Sequence, residues 1–355
     1  MQIAAVGQAF PTHYYDQDQL IEAFRKIWGQ RHHNMARLER IHRNVLVGGR
    51  HLALSLEGYE HLDGFGSAND AWILVAQEVG ERAVRDALDR SGVDPSTIGA
   101  IFFTSVTGIA TPSIEARIMN RIPELPRHLK RIPMFGLGCV AGAAGVARAA
   151  DYVKAYPDQT ALLLSVELCS LTLQRGDLSI PNLISSGLFG DGAACAVVCG
   201  EQVARKEQIS GPKILASRSV FYPDTERVMG WDISGSGFKI VLSADVPQVV
   251  AEHLRGDVDS FLEAQGLTLS QVDSFVCHPG GPKVLLAFET ALERPRSAFQ
   301  LTWDSLAQVG NLSSSSVLLV LRDTMAEENR PEPGTLGLML AMGPAFCSEI
   351  VLIQW

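Results

Sequence analysis

Apolar residues in this chain fall into two kinds of run. The short ones, Ile3 to Ala9, Ala100 to Ser105, Leu162 to Leu164, Ser274 to Cys277 and Leu336 to Leu338, have the length and texture of buried strands. Longer stretches place their apolar positions at helical intervals. Asn69 to Arg90 carries Leu74, Val75, Val79, Ala83 and Ala87 and stops at Gly92, while Val249 to Gln265 stops at Gly266. Between Gln17 and about Arg50 the chain is polar and helical in character, and Arg37, Arg40 and Arg43 recur along one side of it. Such a stripe is either a solvated face or a contact for a small anion.

One stretch, RIPMFGLGCVAGAAGVARAADYVKAYPDQTALLLS from Arg131 to Ser165, breaks the pattern. A short apolar run ends in glycines, Cys139 comes next, and from Val140 to Val146 only the two valines exceed alanine in size. This predicts a tightly packed buried helix with a thiol in its first turn. There the unpaired N–H groups favour thiolate and sharpen the nucleophile. A packed core cysteine fits the same residues, because a lone thiol needs a base before it carries chemistry.

Helix, turn and strand recur at one constant offset. Gly92 falls on Gly266, Val93 on Leu267, Ser96 on Ser270, Ile98 on Val272, Ile101 on Phe275 and Phe102 on Val276. The same shift sets Gly136 on Gly310, Cys139 on Ser313 and the strand at Leu162 over the one at Leu336. The chain therefore reads as two related α/β halves, 1–205 and 206–355, joined near Gly200 to Pro212. Matched elements of duplicated halves lie around a pseudo-twofold axis. Thr104 then corresponds to His278 and Leu137 to Asn311, so Cys139, His278 and Asn311 converge at strand ends, where open α/β sheets hold ligands.

His278 closes an apolar strand and precedes Pro279-Gly280-Gly281, which leaves an imidazole at a strand tip. Asn311 sits in VGNLSSSS ahead of a helix from Val317 to Met325, where an Asn serves as a cap or as a neutral hydrogen-bond donor. Together the three suit thioester chemistry. The thiolate takes an acyl group, and His and Asn hold an enolate oxygen as carbon dioxide leaves, with no metal or cofactor required.

With 355 residues, 46% of them hydrophobic, the chain is globular and too long for one ordinary core. A net charge of −9 without a Lys/Arg run argues against nucleic acid. MQIAAVGQAF has no leader character, and no apolar run reaches spanning length, so a cytoplasmic protein with no membrane span is expected. The six cysteines (Cys139, Cys169, Cys195, Cys199, Cys277, Cys347) form no CxxC pair, and Cys195 and Cys199 lie in a strand-like apolar run. Metal binding is not expected.

GLGCVAGAAG, SSGLFGDGAA, VCHPGGPKVL, VGNLSSSSVLLVL and AMGPAF, in that order and across essentially the whole chain, resemble the type III polyketide synthases. These are the chalcone-synthase-like enzymes of the thiolase superfamily. The resemblance implies a five-layered αβαβα fold of two duplicated halves, a homodimer, and a Cys139-His278-Asn311 triad that loads an acyl-CoA and extends it with malonyl-CoA. It implies a gate at Phe189, with Ile240 where plant members carry a second phenylalanine. Coenzyme A phosphates would meet Arg37 and Arg40, with Asn44 in place of a lysine. The reaction chamber would be lined by Thr107, Thr111, Cys169, Thr172 and Ser313. The family's Gly-Pro-Gly loop reads Gly343-Pro344-Ala345, a departure at the cavity wall.

The style of GLGCVAGAAG and SVELCSLTLQRGD is similar to bacterial alkylpyrone and alkylresorcinol synthases, so a fatty acyl-CoA starter is expected. A malonyl-primed tetrahydroxynaphthalene synthase is the alternative, since Cys169 stands where those enzymes also carry cysteine. An initiating β-ketoacyl carrier-protein synthase has Gln-Ala-Asn after its histidine rather than Pro-Gly-Gly. A catalytically retired scaffold would not need the intact trio, and a papain-like protease does not fit repeated α/β halves.

Overall fold

The computed structural model describes residues 1–29 and 34–355. Residues 30–33 of the polar helical stretch fall outside it. The first half runs β1 (Gln2–Ala9), β2 (His13–Asp16), α1 (Gln17–Trp28), α2 (Met35–Asn44), β3 (Gly49–Leu52), α3 (Leu56–Glu60) and α4 (Phe65–Ser91). It continues through β4 (Ile98–Thr104), α5 (Ile114–Met119), β5 (Lys130–Met134), α6 (Ala141–Ala155), β6 (Thr160–Leu168), α7 (Ile180–Leu188) and β7 (Asp191–Cys199). After α8 (Glu201–Lys206) come β8 (Lys213–Phe221), β9 (Met229–Ser234), β10 (Gly237–Leu242), α9 (Val246–Glu263), β11 (Val272–Cys277) and α10 (Pro282–Ala291). The chain ends with α11 (Gln300–Val309), α12 (Ser316–Met325), β12 (Leu336–Gly343) and β13 (Cys347–Gln354).

The internal repeat is visible in the strand order. Nine strands pair as β11-β12-β13-β8-β1-β7-β6-β4-β5. Reading outward from the centre, β1-β7-β6-β4 mirrors β8-β13-β12-β11, with the same parallel and antiparallel senses at each step. The halves meet through the Gln2–Lys213 pair. Within this sheet only β5 lacks a counterpart. The shift carries it into α11, so the second half builds a helix where the first builds a strand.

Residue alternation along the strands then makes layers. In β6, Leu162, Leu164 and Val166 face α4 in an outer core, while Ala161 and Leu163 turn inward. In β12, Leu338 and Leu340 join α9 and α10 in the opposite outer core, and Met339 and Ala341 turn inward. The inner core is filled by α6 and α12, with Val146, Val317 and Leu321 packed against strands of both halves. This gives helix, sheet, paired helices, sheet, helix. Two elements so enclosed need small or wholly apolar faces, and Ala141 through Ala147 are all buried. The predicted long helix begins earlier than its apolar spacing indicates, at Phe65, where Ser67 bonds back to Gly64. Among the described residues no helix is long and apolar enough to cross a membrane.

Candidate active site

The thiol is placed by a turn between strand and helix. After β5, Phe135-Gly136-Leu137 lead into a 3₁₀ turn, Gly138–Val140, and α6 begins at Ala141. Cys139 is buried, and its Sγ lies 3.6 Å from Ser313 Oγ. Ser313 is the residue that the repeat lays on Cys139, so the sulfur sits beside the pseudo-twofold axis. From the other half, the end of β12 presses on the turn. A Cβ on Gly343 would lie 2.7 Å from Val140 N and 2.9 Å from Leu137 O, which only glycine avoids, and the Pro344 ring packs on Gly138.

Asn311 was expected at a strand end and instead comes after a helix, α11, because the second half has no copy of β5. Gly310 turns the chain with φ 77°, where a Cβ would meet Leu188 O at 2.7 Å. Asn311 then docks on the end of α7. Its N–H donates to Leu188 O at 2.9 Å, and its carbonyl accepts from Gly190 N–H at 3.0 Å, forming a bridge with Phe189. Its Oδ1 accepts from Ser313 N–H at 2.8 Å. With that oxygen committed, Nδ2 is the group left to donate.

His278 directly follows β11, its N–H bonded to Leu340 O of β12 at 2.9 Å. The side chain is buried and neither ring nitrogen has a hydrogen-bond partner among the described residues. An unmatched buried polar atom costs about 1–3 kcal/mol, so two in one imidazole point to a group kept ready for a ligand. The turn after it leans on α7, where a Cβ on Gly281 would lie 3.6 Å from Leu188 Cδ2.

Burial corrects one expectation. It pushes the Cys139 thiol up to about 12, with the Ser313 hydrogen bond opposing and the nearby Glu167 adding, and it pushes His278 down to about 3. Burial therefore favours the neutral form of each group taken alone.

A cavity of about 890 Å³ opens between α1, α3, α7 and the β9–β10 hairpin. Phe189, Ile240, Cys169 and Thr172 line it together, with Trp231 paired to Ile240 across the hairpin. Other expected chamber residues lie elsewhere. Thr107 is buried and its hydroxyl is saturated, donating to Glu167 Oε2 at 3.0 Å and accepting from Leu168 N–H at 2.9 Å and Trp72 Nε1–H at 3.2 Å. Thr111 is exposed in a loop before α5. Ser313, Gly343 and Pro344 surround the thiol turn. On α2, Arg37, Arg40 and Asn44 are exposed, while Arg43 is held by Glu39 and Asp18.

Sequence reasoning passed over the buried charges. Glu167 interrupts the apolar strand β6 and accepts from Ser105, Val106 N–H, Thr107 and Ser314; burial raises it to about 7. Asp191 opens β7, accepts from Ala53 N–H at 2.6 Å and Ser170 N–H at 2.8 Å, and is raised by burial to about 6. Arg50 in β3 is 1% exposed. A carboxylate in an otherwise apolar strand was the available signal for Glu167 and Asp191.

A buried thiol, an unpartnered imidazole and a buried carboxamide, in two duplicated α/β halves, fit a thiolase-like acyl-transfer enzyme. Comparison with known proteins agrees with the residues. "Chalcone and stilbene synthases, N-terminal domain" matches residues 1–202, and the corresponding C-terminal domain matches residues 213–355. The chain belongs to this family, the type III polyketide synthases, enzymes of decarboxylative condensation with acyl transfer. It is 48% identical to 1,3,6,8-tetrahydroxynaphthalene synthase of Streptomyces peucetius subsp. caesius, over 99% of this chain and 93% of that one. It is 36% identical to a putative chalcone synthase of Bacillus subtilis, over 99% and 98% of the two chains. The crystal structure of 1,3,6,8-tetrahydroxynaphthalene synthase from Streptomyces coelicolor A3(2) superposes with a TM-score of 0.93 at 30% identity, covering 100% of this chain and 99% of that one.

Proposed function

We propose that this enzyme primes itself with malonyl-CoA and builds a pentaketide that closes to a tetrahydroxynaphthalene. The observation that carries this reading is the 48% identity to a tetrahydroxynaphthalene synthase along 99% of the chain. The cavity supports it. Its volume lies within the roughly 300–1,000 Å³ of small-molecule sites, and Tyr59, Ser170, Thr172, Ser185 and Ser186 join Cys169 in its lining. A naphthalene has ten ring carbons, and each malonyl unit contributes two after losing carbon dioxide, so five units are consumed.

In this reading Cys139 Sγ attacks the starter thioester while His278 takes its proton, and coenzyme A leaves as the thiol. A second malonyl-CoA then loses carbon dioxide. His278 and the Nδ2 of Asn311 donate to the enolate oxygen as charge develops there. The enolate carbon attacks the Cys139 thioester, returning the thiolate. Arg37 and Arg40 meet the coenzyme A phosphates, Phe189 orients the extender, and the working assembly is a homodimer.

A second reading keeps the expected fatty acyl starter. It is favoured by Leu20, Phe24, Ile27 and Leu56, which form an apolar wall on the α1 side of the same cavity. Incubation with malonyl-CoA alone, then with added long-chain acyl-CoA, and mass analysis of the products separates the two. A ten-carbon aromatic from malonyl-CoA alone is expected. Products only with the long-chain starter would overturn the first reading.

A further inference from the structure

Arg50 is a fully buried cation with no role in the chemistry above, and burial of a charge needs a reason. The nearby Asp191 carboxylate acts in favour of its charge but makes no ion pair with it among the described residues. Its hydrogen bonds go elsewhere. Nη1 donates to Gln17 Oε1 at 3.0 Å and to Gly187 O, and Nη2 donates to Ser186 O. Ser186 and Gly187 are in the last turn of α7, where carbonyls have no partner within the helix and a cation is favoured. Gln17 Nε2 adds a bond to the same Gly187 O at 3.2 Å.

Directly beyond that last turn the chain enters the active site. Leu188 O receives the Asn311 N–H, Phe189 forms the bridge with Asn311, and Gly190 N–H donates to the Asn311 carbonyl. A Cβ on Gly190 would lie 3.2 Å from Arg50 Cβ, so the arginine stem also packs on this segment. The guanidinium therefore grips two consecutive carbonyls immediately before the residue on which Asn311 hangs. We propose that Arg50 is a positioning residue, clamping the C-terminal turn of α7 so that the Asn311 carboxamide and the Phe189 ring are held in register for the extension step. Cys139 is carried by β5 and α6 of a different layer, so the clamp acts on decarboxylation and not on the thiol. The inference rests on Asn311 being the donor to the enolate.

The test compares Arg50→Met, Arg50→Lys, Gln17→Leu and Asn311→Ala in the full-length enzyme. It measures release of labelled carbon dioxide from malonyl-CoA, carbamidomethylation of Cys139 and the thermal midpoint. Arg50→Met is expected to lower kcat for decarboxylation on the order of a hundredfold, as for a displacement of about 1 Å, with KM and the alkylation rate within about threefold of wild type. Arg50→Lys, which keeps the charge without the fork, falls between the two. Should Arg50→Met not fold, Gln17→Leu carries the test, with the same selectivity and a loss of about tenfold. Equal losses of decarboxylation and alkylation, or no loss in either variant, would overturn the clamp. Unchanged decarboxylation in Asn311→Ala overturns the donor reading and the clamp with it, whereas a loss there with none in the arginine and glutamine variants overturns the clamp alone.

Discussion

Replacing His278 with alanine tests whether the imidazole takes the proton of the Cys139 sulfur. Burial raises the Cys139 thiol to about 12, so without a proton acceptor roughly one sulfur in 10⁵ is ionised at pH 7. The same burial holds His278 neutral, with neither ring nitrogen partnered, so the one that carries no proton is open to accept. Passing the proton from sulfur to nitrogen creates opposite charges in a dry site, where they stabilise each other far more than in water. In the wild-type enzyme, alkylation of Cys139 by iodoacetamide is expected to be measurable at neutral pH and to level off there. In His278→Ala the rate is expected to fall by at least tenfold at pH 7 and then rise about tenfold per pH unit up to pH 10, tracking the thiolate fraction of an unassisted buried thiol. Intact-protein mass spectrometry against Cys139→Ala as blank gives the rates. A variant alkylated at the wild-type rate at pH 7 would refute the reasoning, as would a wild-type profile that climbs without a plateau.

Separate features of the chain lead to other outcomes. Asn311→Ala is expected to slow malonyl-CoA decarboxylation by about a hundredfold, as loss of an oxyanion donor does, while acylation of Cys139 proceeds; equal loss of both steps would contradict the donor role. Ala345 takes φ 104°, a conformation costing about 1–3 kcal/mol outside glycine, so Ala345→Gly is expected to raise the urea midpoint, and a lower midpoint would count against strain there. Glu167 is raised from 4.5 to about 7, so its folded form holds a proton that the unfolded chain has released. Its contribution is complete below pH 4.5 and is lost as pH rises through 7, a fall of roughly 3 kcal/mol. Urea titrations at pH 5 and pH 8 should show that decline, and a flat profile would mean the carboxylate is ionised at both.

The duplication was legible because helix stops and strand residues kept one spacing between the halves; Gly92 caps α4 and Gly266 lies in the turn after α9, both with positive φ. The three candidate residues stand out in the sequence because each lies beside a turn marked by glycine or proline. What escaped was set by contacts between distant segments. Nothing local to Gln300–Val309 tells that it forms a helix where its counterpart forms strand β5, because periodicity in ten residues does not separate the two. Arg50 reads as one more basic residue in a polar stretch until α7 is folded over it. Thr107 looks like a chamber residue by resemblance, yet Glu167, Leu168 and Trp72 take up its hydroxyl.

Placing a reactive sulfur near an axis that relates two copies of one unit brings its own hazard. The equivalent position in the second copy is Ser313, whose oxygen lies 3.6 Å from that sulfur. Were both copies to carry cysteine, the pair would be near enough to oxidise to a disulfide. A hydroxyl in one copy and a thiol in the other leaves Cys139 without such a twin.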